Sequence, residues 1–559
     1  VTTHDSPCAP ANISRHLVDM AVRQPDTTAI VCPWKRGGGA LTYRELDDRS
    51  TALASGLVRS GIGPGIRVAL MVKPGLDLFS LAFALFKAGA VPVLVDPGIG
   101  LKNMKSCLQR ARPEAFIGLA QAHVARVILG WGRGTVRQLV TVGPRLGWGG
   151  LGLGELEALG RSSNEPVEGV DDPEAQAAIV FTSGSTGPPK GVVYRHGNFA
   201  AQVEAIRETY DIRPGEVNLP TFPLFALFDP ALGMTSVIPD MNPTKPAAVD
   251  PPNIIDPVNE FSVTTMFGSP ALLDTVGRWG EEHGARMPTI RRVISAGAPV
   301  APRIMERFAR LLDPAAQIFT PYGATESLPV ASIGSHELLG EPRRRSEAGE
   351  GTCVGPPVRS IEAVVIRTTE HAINRWDEAE VLPVGEVGEI VVKGPQVTRE
   401  YFDAPDHTRL GKIGDGGAVR HRMGDLGYFD DQGRLWFCGR KAHRVETPAG
   451  VLYSDRCEGV TNAHEGVRRS ALVGVRLGGV VTPVMCIERA PDRARTDQAT
   501  LATELRELCA ARDVTRPIDI VLFHPSFPVD IRHNAKINRA SLAVWAARKL
   551  GGQPAIFGS

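Results

Sequence analysis

Alternating strand and helix signals predict an α/β fold, with a large N-terminal region of α/β subdomains and a small α+β region at the C-terminal end. Three observations carry this. First, RVALMV (Arg67–Val72) is a short apolar run, LFSLAFALFKAGAV (Leu78–Val91) has helical length and is closed by Gly89, and PVLVDP (Pro92–Pro97) is apolar again. That order is strand, helix, strand, the spacing of a parallel crossover. Second, AFIG, AQAAIVFTSG, FSVTTMFGSP and TIRRVISAGAP repeat the strand-to-turn signal downstream. Third, SIEAVVI, GEIVVKG, GYFDDQGRLWFCGR and ALVGVRL read as short strands of a smaller β-rich region.

In chain order, residues 1–12 are polar, contain proline and are expected to fray. Apolar positions recur at helical spacing from Ile13 to Arg23. A capping pair, Thr42 and Glu45, opens the amphipathic helix of Leu41–Ile62. EPRRRSEAGEGTCVGPP, at 341–357, lacks periodicity and reads as a mobile stretch. Beyond it, VTPVMCIE and DIVLFHPSFP read as strands and TDQATLATELRELCAARD as a helix. A hinge near 439–444 divides the chain into domains 1–439 and 440–559. No repeat or low-complexity tract appears.

At 559 residues the chain exceeds one simple core. Its 62 basic and 61 acidic side chains leave a net charge of +1, which gives no global case for nucleic acid or an acidic membrane. There is no apolar run of transmembrane length and no signal-peptide core, which favours the cytoplasm and leaves peripheral lipid contact open. The eight cysteines are scattered without CxxC pairs, the pattern of reduced thiols rather than a disulfide frame or zinc site.

The densest chemical signal is IVFTSGSTGPPKGVVYRHGN, Ile179–Asn198. A strand empties into a hydroxyl-rich, glycine-rich loop that ends in a lysine. Gly184 and Gly187 let backbone N–H groups approach phosphate oxygens, Thr182, Ser183, Ser185 and Thr186 add hydroxyl donors, and Lys190 supplies a point charge. SGSTG alone would be an ordinary surface turn; its order with Lys190 and Gly191 points to polyphosphate. The Walker pattern is absent.

Two further segments suit an ATP site. In IFTPYGATES, Ile318–Ser327, Tyr322 and Gly323 form a platform for a planar base, Thr325 can donate to phosphate, and Glu326 suits Mg²⁺. In HRMGDLGYFDDQGRLWFCGR, His421–Arg440, Asp425 precedes a hairpin turning at 430–433 and suits a ribose diol; Arg440 can bridge sugar and phosphate.

With these segments in place, the chain resembles the adenylate-forming superfamily of acyl- and aryl-CoA synthetases, peptide-synthetase adenylation domains and luciferases, over nearly its whole length. The matching residues are SGSTGPPKG at 183–191, Tyr322–Glu326, Gly424-Asp425 and Arg440, together with SAGAP at 295–299, whose Gly297, Ala298 and Pro299 match the segment flanking the adenine. The resemblance implies a large N-terminal adenylating domain, binding ATP and the acyl substrate, and a small mobile C-terminal domain. It implies that a carboxylate attacks the α-phosphate of ATP, with Mg²⁺, giving acyl-AMP and pyrophosphate. It matches Lys536, in PVDIRHNAKINR, to the catalytic lysine of the mobile domain, and assigns Thr325, Glu326 and Arg440 catalytic contacts. An ammonium at Lys536 would favour the anionic transition state.

The departures are informative. Ala535 precedes Lys536 where the family usually has glycine. In the hinge segment GRKAHRVETPAG, Ala442 and Glu446 replace the usual hinge residue and lysine, and the glycine is shifted to Gly450 or lost as Ala449. These features, with the opening NISRHLVDMA, resemble the β-lactone synthetases of bacterial long-chain olefin biosynthesis. That resemblance implies a 2-alkyl-3-hydroxyalkanoate, activated as acyl-AMP, whose own 3-hydroxyl closes a β-lactone and expels AMP, needing no CoA. Tethering removes the entropic cost of finding an acceptor. His196 or His533 could serve as base, or the AMP phosphate could take the proton.

The apolar stretch TFPLFALFDPALGMTSVIPD, 221–240, supplies candidate pocket residues Phe222, Phe225, Phe228 and Met234, with Met266, Phe267 and Gly268 narrowing the channel near the carboxylate. The alternatives are a medium- or long-chain acyl-CoA synthetase, a fatty acyl-AMP ligase or peptide-synthetase-like enzyme requiring a carrier protein, and a catalytically silent nucleotide-binding subunit. The narrower resemblance implies partners: a preceding reductase and a following β-lactone decarboxylase, in a soluble assembly or beside a membrane.

Overall fold

The computed structural model describes residues 12–35, 37–163, 165–167, 169–182, 189–490, 497–529 and 537–555. Helix Leu76–Lys87 explains how the N-terminal part is layered. It is apolar nearly all round because both of its faces are buried. Phe79, Phe83 and Phe86 join a core with Ile30, Tyr43 and Val203. Leu78, Leu81 and Leu85 join a second core with Val68 and Ile117. These cores serve two different sheets, so the helix is sandwiched between them.

One sheet has seven strands: Leu151–Gly152, Gln138–Val142, Ala115–Leu119, Arg67–Met71, Val91–Val95, Gln176–Thr182 and Lys190–Arg195, in spatial order. The first six run parallel, and the last returns antiparallel. The other sheet has eight strands, in the order Ser327–Gly334, Gln317–Ala324, Arg292–Ile294, Thr265–Phe267, Val217–Pro220, Thr235–Val237, Thr28–Cys32 and Gly39–Thr42. The strand–helix–strand expectation holds at Arg67–Met71, Leu76–Lys87 and Val91–Val95, and Gly89 ends the helix with φ +67°. The expected capping pair forms: Thr42 Oγ1 accepts from Glu45 N, and Glu45 Oε2 accepts from Thr42 N at 2.8 Å.

An antiparallel sheet follows, ordered Thr352–Gly355, Leu435–Arg440, Ala418–Phe429, Gly388–Lys393 and Glu362–Ile366. The smaller C-terminal α+β part is a sheet of Ile520–Phe523, Val480–Arg489, Val467–Leu477 and Gln553–Ala555, with helices on both faces. The period of two is explicit. Leu472, Met485 and Ile487 meet helix Gln498–Ala510, whereas Ala471, Val473 and Val484 meet helix Arg539–Leu550.

The stretch expected to be mobile is ordered instead. It forms helix Glu341–Glu347 and strand Thr352–Gly355. Arg343 pairs with Glu306 at 2.6 Å and Glu347 at 2.8 Å, and Arg345 pairs with Glu350 at 2.6 Å while lying over the Trp436 ring. Charge pairing rather than apolar periodicity sets this segment. Seven of the cysteines are described, and all are free and buried. Among the described residues, no helix is long and apolar enough to cross a membrane.

Candidate functional site

Strands Thr265–Phe267, Arg292–Ile294 and Gln317–Ala324 are adjacent and parallel, so their carboxyl ends open side by side. That edge is where open α/β sheets bind ligands. Three sequence-predicted segments emerge there. Gly268 follows the first strand. The SAGAP turn, with Gly297 at φ +95°, follows the second. The third turns directly into Ser327–Gly334, with Ala324 paired to Ser327, so Thr325 and Glu326 are the two residues of the hairpin turn. Gly323 is required by packing: a Cβ there would lie 2.7 Å from the Ser327 carbonyl oxygen. Ala298 and Pro299 continue the SAGAP turn.

Asp425 reaches the site through a bulge. The register of strand Ala418–Phe429 shifts between its pairings with Val391 and Glu389, and Gly424 there has φ +66°. The Tyr322 hydroxyl donates to Asp425 Oδ2 at 2.7 Å, and Arg440 Nε lies 3.0 Å from Oδ1. Burial raises the Asp425 pKa above its ordinary value, against the opposing Arg440 charge. Oδ1 is buried and makes no well-aligned hydrogen bond, which leaves an acceptor suited to a sugar hydroxyl.

Glu326 is built into a second polar cluster. The Tyr401 hydroxyl donates to its Oε1 at 2.6 Å. The Thr398 backbone N–H donates to its carbonyl at 2.9 Å. Lys412, itself buried, donates to the Thr398 carbonyl and, at 3.3 Å, to its hydroxyl. Lys190 and Lys412 place their ammonium groups 5.5 Å and 5.7 Å from the Tyr401 ring centroid. Burial brings Lys412 down to about 7 and His421 down to about 3. Burial pushes Glu326 up, but the His421 ring, the Tyr401 hydroxyl and Lys412 more than offset it, and its pKa falls below the ordinary value. The Tyr194 hydroxyl donates to the Thr325 carbonyl, fixing the turn from the other sheet.

Tyr401, Lys412 and His421 were not singled out from the sequence for this role. The run YFDAPDHTRLGK offered a tyrosine and a lysine without a spacing that names their partner.

The phosphate-loop residues Ser183, Gly184, Ser185, Thr186 and Gly187 lie outside the described residues, as do Lys536 and His533. The ends of the loop are described. Thr182 pairs with Lys190 and Phe181 with Gly191 in antiparallel register. A Cβ on Gly191 would lie 2.8 Å from the Phe181 ring.

An apolar pocket adjoins these elements. The sequence candidates Phe225, Phe228, Met234 and Phe267 line it, together with Ile294 and Leu328. Ala296 and Pro321 line it too, and they belong to the two segments that carry the nucleotide signature. Asp229 and Asn218 give it a polar base. Asp229 accepts from Asn218 Nδ2 at 2.8 Å and from Ser236 Oγ at 2.6 Å, and burial lifts its pKa to about 7. Two sequence candidates stand elsewhere. Phe222 packs at a tilt against Phe225 with centroids 5.4 Å apart and is not part of the lining, and Met266 is fully buried in the core with Leu219 and Leu272. His196 is taken up structurally. Its Nδ1 accepts from Ile13 N at 3.4 Å, its ring packs on Phe86, and burial lowers its pKa to about 4.

The family model described as AMP-binding enzyme matches residues 17–402. The chain belongs to the AMP-binding enzyme family. It is 51% identical over 554 residues to the olefin β-lactone synthetase of Stenotrophomonas maltophilia (strain K279a), covering 97% of this chain and 99% of that one. It is 50% identical over 550 residues to the olefin β-lactone synthetase of Xanthomonas campestris pv. campestris, covering 96% and 98%. In fold it is similar to the amide bond synthetase McbA from Marinactinospora thermotolerans, with a TM-score of 0.77, 23% identity, and 95% and 99% of the two chains covered. The chain is therefore an adenylate-forming, AMP-forming ligase that uses ATP.

Among the described residues no group of three or more His, Cys, Asp or Glu is placed to hold a metal alone. A Mg²⁺ ion fits if Glu326, kept anionic, supplies one oxygen and nucleotide phosphates supply others.

Proposed function

We propose that the chain converts a long-chain 2-alkyl-3-hydroxyalkanoate to a β-lactone, consuming ATP and releasing AMP and pyrophosphate. The observation that carries this is the pocket: an apolar cavity whose lining includes Ala296 and Pro321, beside the nucleotide elements. The names and identities of the two β-lactone synthetases support the finer assignment.

The reaction has two steps. The substrate carboxylate displaces pyrophosphate from the ATP α-phosphate, giving an acyl-adenylate. The 3-hydroxyl oxygen then attacks the acyl carbon, the bond to AMP breaks, and the hydroxyl proton leaves to solvent or to the AMP phosphate. Asp425 accepts the ribose hydroxyls, Tyr322 and the SAGAP turn flank the base, Lys190 and the loop at 183–187 hold the phosphates, and Lys536 enters for the first step. Arg440 holds Asp425 and reaches toward the sugar and phosphate, while Thr325 presents its hydroxyl to phosphate. Mg²⁺, held by Glu326, would neutralise phosphate charge. His196 is too committed to Ile13 and Phe86 to act as base.

The hinge departures support closure without a second substrate. After Arg440, Lys441–His443 form a short 3-10 turn, and burial pushes His443 to about 3. Residues 1–439 and 440–559 act as the fixed and moving domains. Partners of the reaction are the reductase that makes the hydroxy acid and the decarboxylase that consumes the lactone.

The test is product analysis by mass spectrometry with Mg·ATP and a syn-2-alkyl-3-hydroxyalkanoate, with and without CoA. Lactone and AMP form without CoA on this reading. Acyl-CoA as the product, formed only when CoA is present, would make the chain a conventional acyl-CoA synthetase.

A further inference from the structure

Helix Ala120–Leu129 turns an apolar face to solvent. Val124, Val127 and Ile128 sit at i, i+3 and i+4, and Val127 and Ile128 are 61% and 75% exposed. On the opposite face Ala122, Ala125 and Leu129 pack against the seven-stranded sheet, and on the flank His123 is fully buried and contacts the Val140 carbonyl at 3.0 Å. The exposed face is therefore surplus to folding.

The neighbouring helix Gly100–Ala111 packs into the same core through Met104, Cys107 and Leu108, so both helices cover one face of the sheet. On its outer side Leu101 is 63% exposed and Lys105 follows four residues later, also exposed. Arg133, just past the Gly130 cap of the first helix, and Arg137 are exposed as well.

The charge here is not that of the whole molecule. From Pro97 to Gly149 the sequence has eight Lys or Arg and one carboxylate, Glu114, in a chain of net charge +1. Glu114 is itself paired with Arg67 at 2.9 Å. Carboxylates from outside this segment pair with two of the eight, Asp403 with Arg112 at 3.5 Å and Glu155 with Arg145 at 2.9 Å. Exposed aliphatic side chains beside the remaining cations complement a lipid surface of negative charge, where the apolar tips enter the acyl boundary and the cations meet headgroup phosphates.

We propose that the face formed by Val124, Val127 and Ile128, with Arg133 and Arg137 beyond the same end of the helix, docks the enzyme peripherally on an anionic bilayer. This does not depend on which acid the active site takes.

The experiment is vesicle flotation of the full chain with phosphatidylglycerol–phosphatidylcholine vesicles and with phosphatidylcholine alone. The chain floats with the anionic vesicles, less so as salt rises, and poorly with the neutral ones. Val127→Glu/Ile128→Glu weakens flotation by roughly tenfold or more, and Arg133→Gln/Arg137→Gln weakens it in the same direction. Pyrophosphate exchange from ATP with a soluble short-chain acid is unchanged in both variants, which shows that they fold. No flotation with anionic vesicles, or equal flotation of the glutamate variant, overturns the proposal. So does a self-association that Val127→Glu/Ile128→Glu abolishes, because the face would then join two copies of the chain.

Discussion

Arg440 stands directly across a strand pair from Asp425, with Nε 3.0 Å from Oδ1. Tyr322 takes the other carboxylate oxygen at 2.7 Å. Arg440 is also the last residue of its sheet. The residues after it are anchored nearby: Lys441 lies 3.4 Å from Glu389 and Arg444 2.9 Å from Glu370. The Asp425 carboxylate, proposed to meet the nucleotide ribose, and the start of the C-terminal part therefore share one cross-strand pair.

Asp425→Ala removes the acceptor and leaves Arg440 and Tyr322 without their partner. Hydrogen bonds to a charged group contribute about 1.5–3 kcal/mol, so nucleotide affinity is expected to fall by about 10- to 100-fold. Calorimetric titration with AMP measures this. Unchanged affinity would remove Asp425 from the nucleotide site.

Lys536→Ala is expected to abolish most ATP-dependent pyrophosphate exchange while ATP affinity stays near that of the parent, because the ammonium is proposed to act on charge that develops in the transition state. Equal loss of binding and turnover would assign Lys536 a binding or folding role instead.

Lys412→Met tests the cluster behind Glu326. The lysine braces Thr398, whose N–H holds the Glu326 backbone. Its loss is expected to raise the Mg²⁺ concentration needed for half-maximal activity and to lower kcat/KM by roughly tenfold. A fall in thermal stability with normal Mg²⁺ dependence would make Lys412 purely structural.

Asp229→Asn tests the base of the pocket through pH. Burial raises Asp229 from 3.8 to about 7. Between those values the folded chain keeps a proton that the unfolded chain releases, so this group makes stability fall as pH rises from about 4 to about 7. Below that window both states hold the proton and nothing is lost; above it the full cost is present. Asparagine keeps both hydrogen bonds, with Ser236 now accepting, and titrates nowhere. Urea unfolding across this range should show the variant gaining on the parent toward pH 7, by on the order of 2–4 kcal/mol. Parallel curves would place the Asp229 pKa at its ordinary value.

Much of this was legible in the sequence because local pattern carried it. The Thr42–Glu45 cap, the strand before the glycine-rich loop and the Asp425–Arg440 hairpin each depend on neighbours in sequence. The Glu326 cluster was not, because Tyr401, Lys412 and His421 come from two later strands and a loop, and no spacing links them to the hairpin turn. The 341–357 stretch was misread for a related reason. Its order comes from Arg343 and Arg345 pairing outward with Glu306 and Trp436, which composition reads as charged and loose. Met266 and Phe222 show the limit of apolar runs: composition marked them as greasy, and the register of one strand sent Met266 into the core rather than the pocket.

The most direct measurement follows oxygen atoms. The hydroxy acid is prepared with oxygen-18 in its carboxylate, turned over with ATP, and the products are weighed by mass spectrometry. Adenylation followed by ring closure puts one labelled oxygen in AMP and leaves the other in the lactone carbonyl. Unlabelled AMP, with both labelled oxygens retained in the lactone, would mean that the hydroxyl is activated and displaced instead, and would contradict the acyl-adenylate route.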